Sequence, residues 1–81
     1  MTIEEIVEKV TDVLVDEFEI EISKITPEAS LKDTLDIDSL DIVDLVVLIE
    51  QNFGIKLTSQ DFVGITTFQD FCNLLNRRIN G

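Results

Sequence analysis

The sequence contains no histidine, a single cysteine and few bases, and each shortage argues against a class of function. Histidine is the side chain whose ordinary pKa suits proton transfer at neutral pH. A serine nucleophile needs such a base within reach, oriented by a third group. A self-contained hydrolase is therefore disfavoured, and no catalytic residues are assigned. Cys72 has no second thiol with which to close an internal disulfide, which fits a reducing compartment. Six Lys and Arg stand against 17 Asp and Glu, a net charge of −11. Nucleic-acid phosphates and anionic membrane surfaces repel such a chain. No apolar run is long enough to cross a bilayer. The opening Met1-Thr2-Ile3-Glu4-Glu5 lacks the basic start of a secretion signal and the arginines of a transit peptide, so a cytoplasmic location is expected.

What is present points to one small domain over 1–81. Hydrophobic residues make up 44% of 81, enough for a compact core and too many for disorder. No repeat, low-complexity tract or linker divides the chain. The acid excess suits partners with basic patches, reached by steering that salt weakens. It also imposes self-repulsion, which loosely held divalent cations would relieve.

Helical periodicity dominates. Thr2-x-x-Glu5 reads as a capping box. Ile3, Ile6, Val7, Val10, Leu14 and Phe18 follow at helical spacing, with most acids on the other face. From Glu19 to Ile37 the pattern breaks. Ile20, Ile22 and Ile25 alternate as a strand would, but no second run exists to pair with them. A long loop is predicted, turned by Pro27 and the Ser30–Thr34 region and pinned to the core by its isoleucines, Leu31 and Leu35. A second helix runs from Asp38 to about Phe53, apolar around most of its circumference, which predicts a central position. Gly54 suits the left-handed residue that ends it. Thr58-x-x-Asp61 predicts one short helical turn, and Thr66-x-x-Gln69 or Thr67-x-x-Asp70 opens a last helix carrying Phe68, Phe71, Cys72, Leu75 and Ile79. Cys72 on that stripe reads as an inert buried thiol, and Arg77 and Arg78 as cations suited to the helix C-terminus. The fold class is all-α: a small four-helix bundle of three main helices and one short one, with a long loop between the first two.

The stretch Asp36-Ile37-Asp38-Ser39-Leu40-Asp41-Ile42-Val43-Asp44-Leu45 concentrates the candidate chemistry. Asp38 is an N-cap candidate, and Asp41 puts a second carboxylate at the positive end of the helix dipole. The Ser39 hydroxyl can help cap the helix, act as a nucleophile, or carry a group attached by another enzyme that brings its own base and metal. No base lies between Asp33 and Ile55. Asp38, Asp41 and Asp44 thus form an acidic stripe. It serves either the helix terminus or a basic docking patch, and Asp44 lies beyond the strongest dipole region. Asp36, Asp38 and Asp41 resemble a calcium loop only superficially. Leu40, Asp41 and Val47 occupy the positions that need a ligand, a glycine and a glutamate, so no metal site is assigned.

Asp38-Ser39-Leu40-Asp41, then Val43, Asp44-Leu45-Val46, Glu50-Gln51-Asn52-Phe53-Gly54-Ile55 and Ile65-Thr66-Thr67-Phe68-Gln69-Asp70, resemble the acyl carrier protein family over essentially the whole chain. The resemblance implies a 4′-phosphopantetheine arm on Ser39, donated by coenzyme A through a phosphopantetheinyl transferase, holding acyl chains as thioesters for fatty-acid or related lipid or polyketide synthesis. The protein would be a carrier, not an enzyme, and a monomer. Asp38, Leu40, Asp41, Asp44 and Glu50 would meet the loading and elongating enzymes, although helical geometry puts Glu50 opposite Asp41. Val43, Val46, Leu57 and Phe62 are candidates for lining an acyl pocket, while a packed core explains the same apolar residues. Family members often have glycine where Asp36 stands. Here aspartate makes that turn and adds a carboxylate, which points to a specialised carrier. A D-alanyl or peptidyl carrier, or an unmodified acidic interaction module, is the alternative.

Overall fold

A computed structural model describes residues 1–80, with Ser59 described by its backbone. Three α-helices carry the architecture: α1 (Ile3–Phe18), α2 (Ser39–Phe53) and α3 (Phe68–Asn80). Two 3-10 turns, Ile22–Lys24 and Ser59–Phe62, lie in the connections. Among the described residues there is no strand, only an isolated antiparallel bridge between Ser30 and Thr67.

Local chemistry sets the helix starts. Thr2 caps α1 by accepting from the Glu5 N–H, while the Glu5 carboxylate accepts from the Thr2 N–H. At α3 the reciprocal pair is Thr67 and Asp70, which decides between the two capping boxes the sequence offers. α2 ends at Gly54, whose φ of 71° is the left-handed conformation that glycine adopts without steric cost. α1 ends in the same conformation at Glu19, φ 55°.

The core departs from the expected arrangement. α1 contributes Ile6, Val10, Val13 and Leu14, and α3 contributes Phe68, Phe71, Cys72, Leu74 and Leu75. α2 buries only Leu45 and Ile49, with Ile42, Val46, Leu48 and Phe53 partly covered. It is therefore a flanking helix rather than the central one. Leu40, Val43 and Val47 remain exposed along it, at 78%, 62% and 48%. A helix apolar on all sides gives periodicity no face to select, so tertiary contacts decide which side is covered.

The long loop is anchored by backbone as well as side chains. Leu31 N–H donates to the Thr66 carbonyl at 2.9 Å, Phe68 N–H to Ala29 at 2.9 Å and Gln69 N–H to Pro27 at 3.1 Å. Ala29, Leu31, Leu35 and Ile37 are buried. Ile22, expected to help pin the loop, is 69% exposed instead. The short helix expected over Thr58–Val63 is a single 3-10 turn, closed by a Thr58–Asp61 capping box and followed by Val63 in an extended conformation. Four residues fix too many dihedrals for too few hydrogen bonds to propagate an α-helix.

Candidate functional site

Ser39 is the first residue of α2 and is exposed. Its neighbours perform the capping. Asp38 Oδ1 accepts from the Leu40 and Asp41 N–H groups, each at 3.0 Å, and Asp41 Oδ2 accepts from the Asp38 N–H at 3.3 Å. The Ser39 hydroxyl makes no hydrogen bond among the described residues, so capping does not occupy it. It stands at the positive end of the α2 dipole, where a phosphate is favoured.

The turn before the helix explains how the hydroxyl is presented. Ile37 is 3% exposed, and its N–H donates to the Leu31 carbonyl at 2.8 Å. Ile37 and Ile42 hold the N′ and N4 positions, where a hydrophobic staple fixes the angle at which a chain enters its helix. Asp36 adopts φ 57°, the left-handed conformation, and swings the chain from buried Leu35 towards that anchor. Two residues beyond the anchor, Ser39 emerges into solvent.

A cleft of about 550 Å³ opens beside it. Ser39 and Asp38 stand in its wall with Ser30, Lys32, Asp33 and Thr66, and Leu31, Ile37, Ile42, Phe62 and Ile65 supply its apolar lining. Of the four pocket candidates taken from the sequence, Phe62 alone lines this cleft. Val43 points to solvent, Val46 is half-buried against the core, and Leu57 belongs to the core itself. Ile42 and Ile65 line the cleft beside Phe62. The apolar run in α2 could not distinguish adjacent isoleucine and valine, because its register against the loop is set by contacts distant in sequence.

The acids surround the hydroxyl without converging. Asp38 lines the Ser39 cleft, whereas Asp41 lines a second groove of about 420 Å³ with Glu19, Glu21, Lys24 and Asp36. Asp44 is exposed farther along α2, beside Val47 and Gln51 in a shallow depression. Glu50 is exposed near the far end of α2, away from the serine. Leu40, next to Ser39, is the most exposed apolar side chain of α2. Among the described residues no group of three or more His, Cys, Asp or Glu is arranged to hold a metal ion. Cys72 is buried and its thiol is pushed up to about 12 by desolvation, so it supplies no nucleophile.

Arg78 acts beyond the helix dipole. Its guanidinium donates to the Lys56 carbonyl at 2.8 Å and pairs with Asp61 at 3.3 Å. It thereby ties α3 to the turn that carries Phe62. Asp61 is held below the ordinary carboxylate range, first by the Thr58 N–H, with Arg78 adding to the effect. The pair is partly solvated and contributes little by itself. Its partners are 17 and 22 residues away in sequence, beyond any local pattern.

The small helical bundle thus presents an unengaged hydroxyl at a helix start, beside an apolar cleft. The phosphopantetheine attachment site model matches residues 8–75. The acyl carrier protein of Petrotoga mobilis is 36% identical over 80 residues, covering 99% of this chain and 94% of that one. The acyl carrier protein of Thermosynechococcus vestitus is 33% identical over 75 residues, 93% of each chain. In structure, the chain is similar to the acyl carrier protein of Enterococcus faecalis, with a TM-score of 0.76 and 28% identity over 96% of this chain and 99% of that one. The chain belongs to the acyl carrier protein family.

Proposed function

We propose that this protein carries acyl chains as thioesters on a 4′-phosphopantetheine arm attached to Ser39, in fatty-acid synthesis or a related lipid or polyketide pathway. The observation that carries the reading is the exposed Ser39 hydroxyl, left free by Asp38 and seated at the edge of an apolar cleft. The exposed position suits an incoming transferase. The α2 dipole favours the anionic phosphodiester that would form there. In loading, Ser39 Oγ forms the new bond to phosphorus, its proton leaves to a base of the transferase, and the adenosine bisphosphate half of coenzyme A departs. The arm's thiol supplies the thioester chemistry. The protein's part is to hold the serine outward and to offer a surface that enzymes recognise, so it is a carrier and not a catalyst.

Recognition falls to Leu40, Asp38, Asp41 and Asp44, grouped around the serine, with Glu50 more remote. Leu40 offers an apolar contact and the carboxylates offer charge to basic patches on the transferase and on acyl-transferring and elongating enzymes. No helix among the described residues is long and apolar enough to cross a membrane. The proposed carrier is one domain over 1–81, a monomer working in the cytoplasm. The test is to incubate the apo protein with a phosphopantetheinyl transferase, Mg²⁺ and coenzyme A, then weigh it by intact-mass spectrometry. One phosphopantetheine is expected on the wild type and none on Ser39→Ala. Addition to Ser39→Ala would move the site elsewhere, and no addition to either would favour an unmodified interaction module.

A further inference from the structure

We propose that Phe62 sets the inner end of the Ser39 cleft, and with it the length of attached chain that the protein shelters. The proposal rests on the carrier reading above and names a limit on its cargo. Ser39 itself lines the cleft, so an arm attached there can fold back and deliver its acyl chain to the cleft without crossing the surface. Ile42, Ile65, Leu31 and Ile37 give it apolar walls. Phe62 also lines the cleft, and its ring stacks on Phe71, with centroids 5.5 Å apart and planes inclined by 22°.

Phe71 does not reach the cleft. It is fully buried, as are Leu45, Ile49 and Leu75 in the same core. The Phe62 ring therefore lies between the cleft and Phe71 in the filled interior, while Leu31 and Ile37 bound the cleft from the loop side. A chain that grows past Phe62 must displace its ring or remain in solvent. Displacement forfeits the aromatic stack and disturbs a close-packed core, whereas the walls already available accept a short chain without rearrangement.

Phe62 is also held in place. It ends the 3-10 turn, which the Thr58–Asp61 box closes and Arg78 ties to α3 through Asp61 and the Lys56 carbonyl. Beyond it, Val63 is 81% exposed and Gly64 takes the left-handed conformation at φ 84°. The ring is thus a stop fixed through its own turn, and changing its size should change the limit without moving Ser39.

The test uses the full chain loaded by a transferase with saturated acyl-phosphopantetheine of increasing length. The readouts are the thermal midpoint and the rate of thioester cleavage by hydroxylamine. For the wild type, both should improve with chain length and then level off. In Phe62→Ala the levelling point should move to chains longer by roughly three methylene units, the space a removed phenyl ring leaves. Phe62→Leu, which keeps a large apolar side chain at the edge of the core, should move it in the same direction by less and guards against a variant that fails to fold. A protein that takes up no phosphopantetheine refutes the carrier reading itself, and this proposal with it. A protein that loads normally, but whose levelling point is absent or the same in Phe62→Leu, refutes this proposal alone.

Discussion

Replacing Asp38 separates two roles that one carboxylate combines. As the α2 cap, Asp38 needs only an acceptor oxygen for the Leu40 and Asp41 N–H groups, both at 3.0 Å. As part of a docking surface it needs negative charge. Asp38→Ala removes both, whereas Asp38→Asn keeps an acceptor, since asparagine caps about as well as aspartate. Loss of an N-cap costs about 1 kcal/mol and up to about 2. Asp38 is exposed, so water can reach the abandoned donors, which places the cost near the lower figure. For a chain of this size that lowers the thermal midpoint by about 4–8 °C. Asp38→Asn loses only the charge–dipole attraction, about 0.3–1 kcal/mol at low salt, partly offset by relief of repulsion from Asp41. Thermal unfolding should therefore rank wild type above Asp38→Asn and Asp38→Ala lowest. Loading kinetics should rank them differently. At low ionic strength both variants should lose transferase kcat/KM by about fivefold, the equivalent of about 1 kcal/mol, and added salt should erase most of the difference. Equal midpoints for the two variants would refute the acceptor account of the cap. A wild-type loading rate for Asp38→Asn at low salt would refute the docking role of the charge.

Two further outcomes follow from named geometry. Asp36→Gly should raise the thermal midpoint by about 2–8 °C: a left-handed non-glycine residue costs about 1–2 kcal/mol, and glycine's greater unfolded-state entropy returns part of that gain. An unchanged or lower midpoint would mean that the Asp36 side chain contributes to the turn something that offsets its backbone cost. Asp70 is held below the ordinary carboxylate range by the Thr66 hydroxyl first, then by the Thr67 and Thr66 N–H groups. A depressed folded pKa means that the unfolded state binds more protons in that range, so the stabilisation is complete above the ordinary value of 3.8 and is lost as pH falls through the folded one. The stability gap between wild type and Asp70→Asn should be constant above about pH 5 and shrink below about pH 4. Measuring the gap cancels the self-repulsion common to both chains, and a gap unchanged at about pH 2.5 would contradict the bonding assigned to Asp70.

Short-range chemistry was legible in the sequence and long-range register was not. Thr2 with Glu5 and Thr58 with Asp61 form the capping boxes that their spacing predicts, and Asp38 caps α2 as expected, with Asp41 accepting in return, because each partner lies within one helical turn. The loop's attachment is different. The bonds from Leu31 to Thr66 and from Phe68 to Ala29 span more than thirty residues, and no composition or periodicity in Ser30–Thr34 signals them. That attachment fixes which side of α2 faces the loop, and so decides that Ile42 enters the cleft while Val43, one residue on, faces water. Neighbours in a helix differ by about 100° in direction, so a single step in register exchanges a wall of the cleft for a surface contact. The same logic makes Val43 available to a partner. With Leu40 and Val47 it leaves an apolar edge on the helix that begins at Ser39, and Asp44 stands between them. On the proposed reading, an enzyme that reaches for the serine would meet that edge together with the charge. Leu40, expected at the docking surface, is exposed along it, and Val43, expected in the pocket, stands beside it instead.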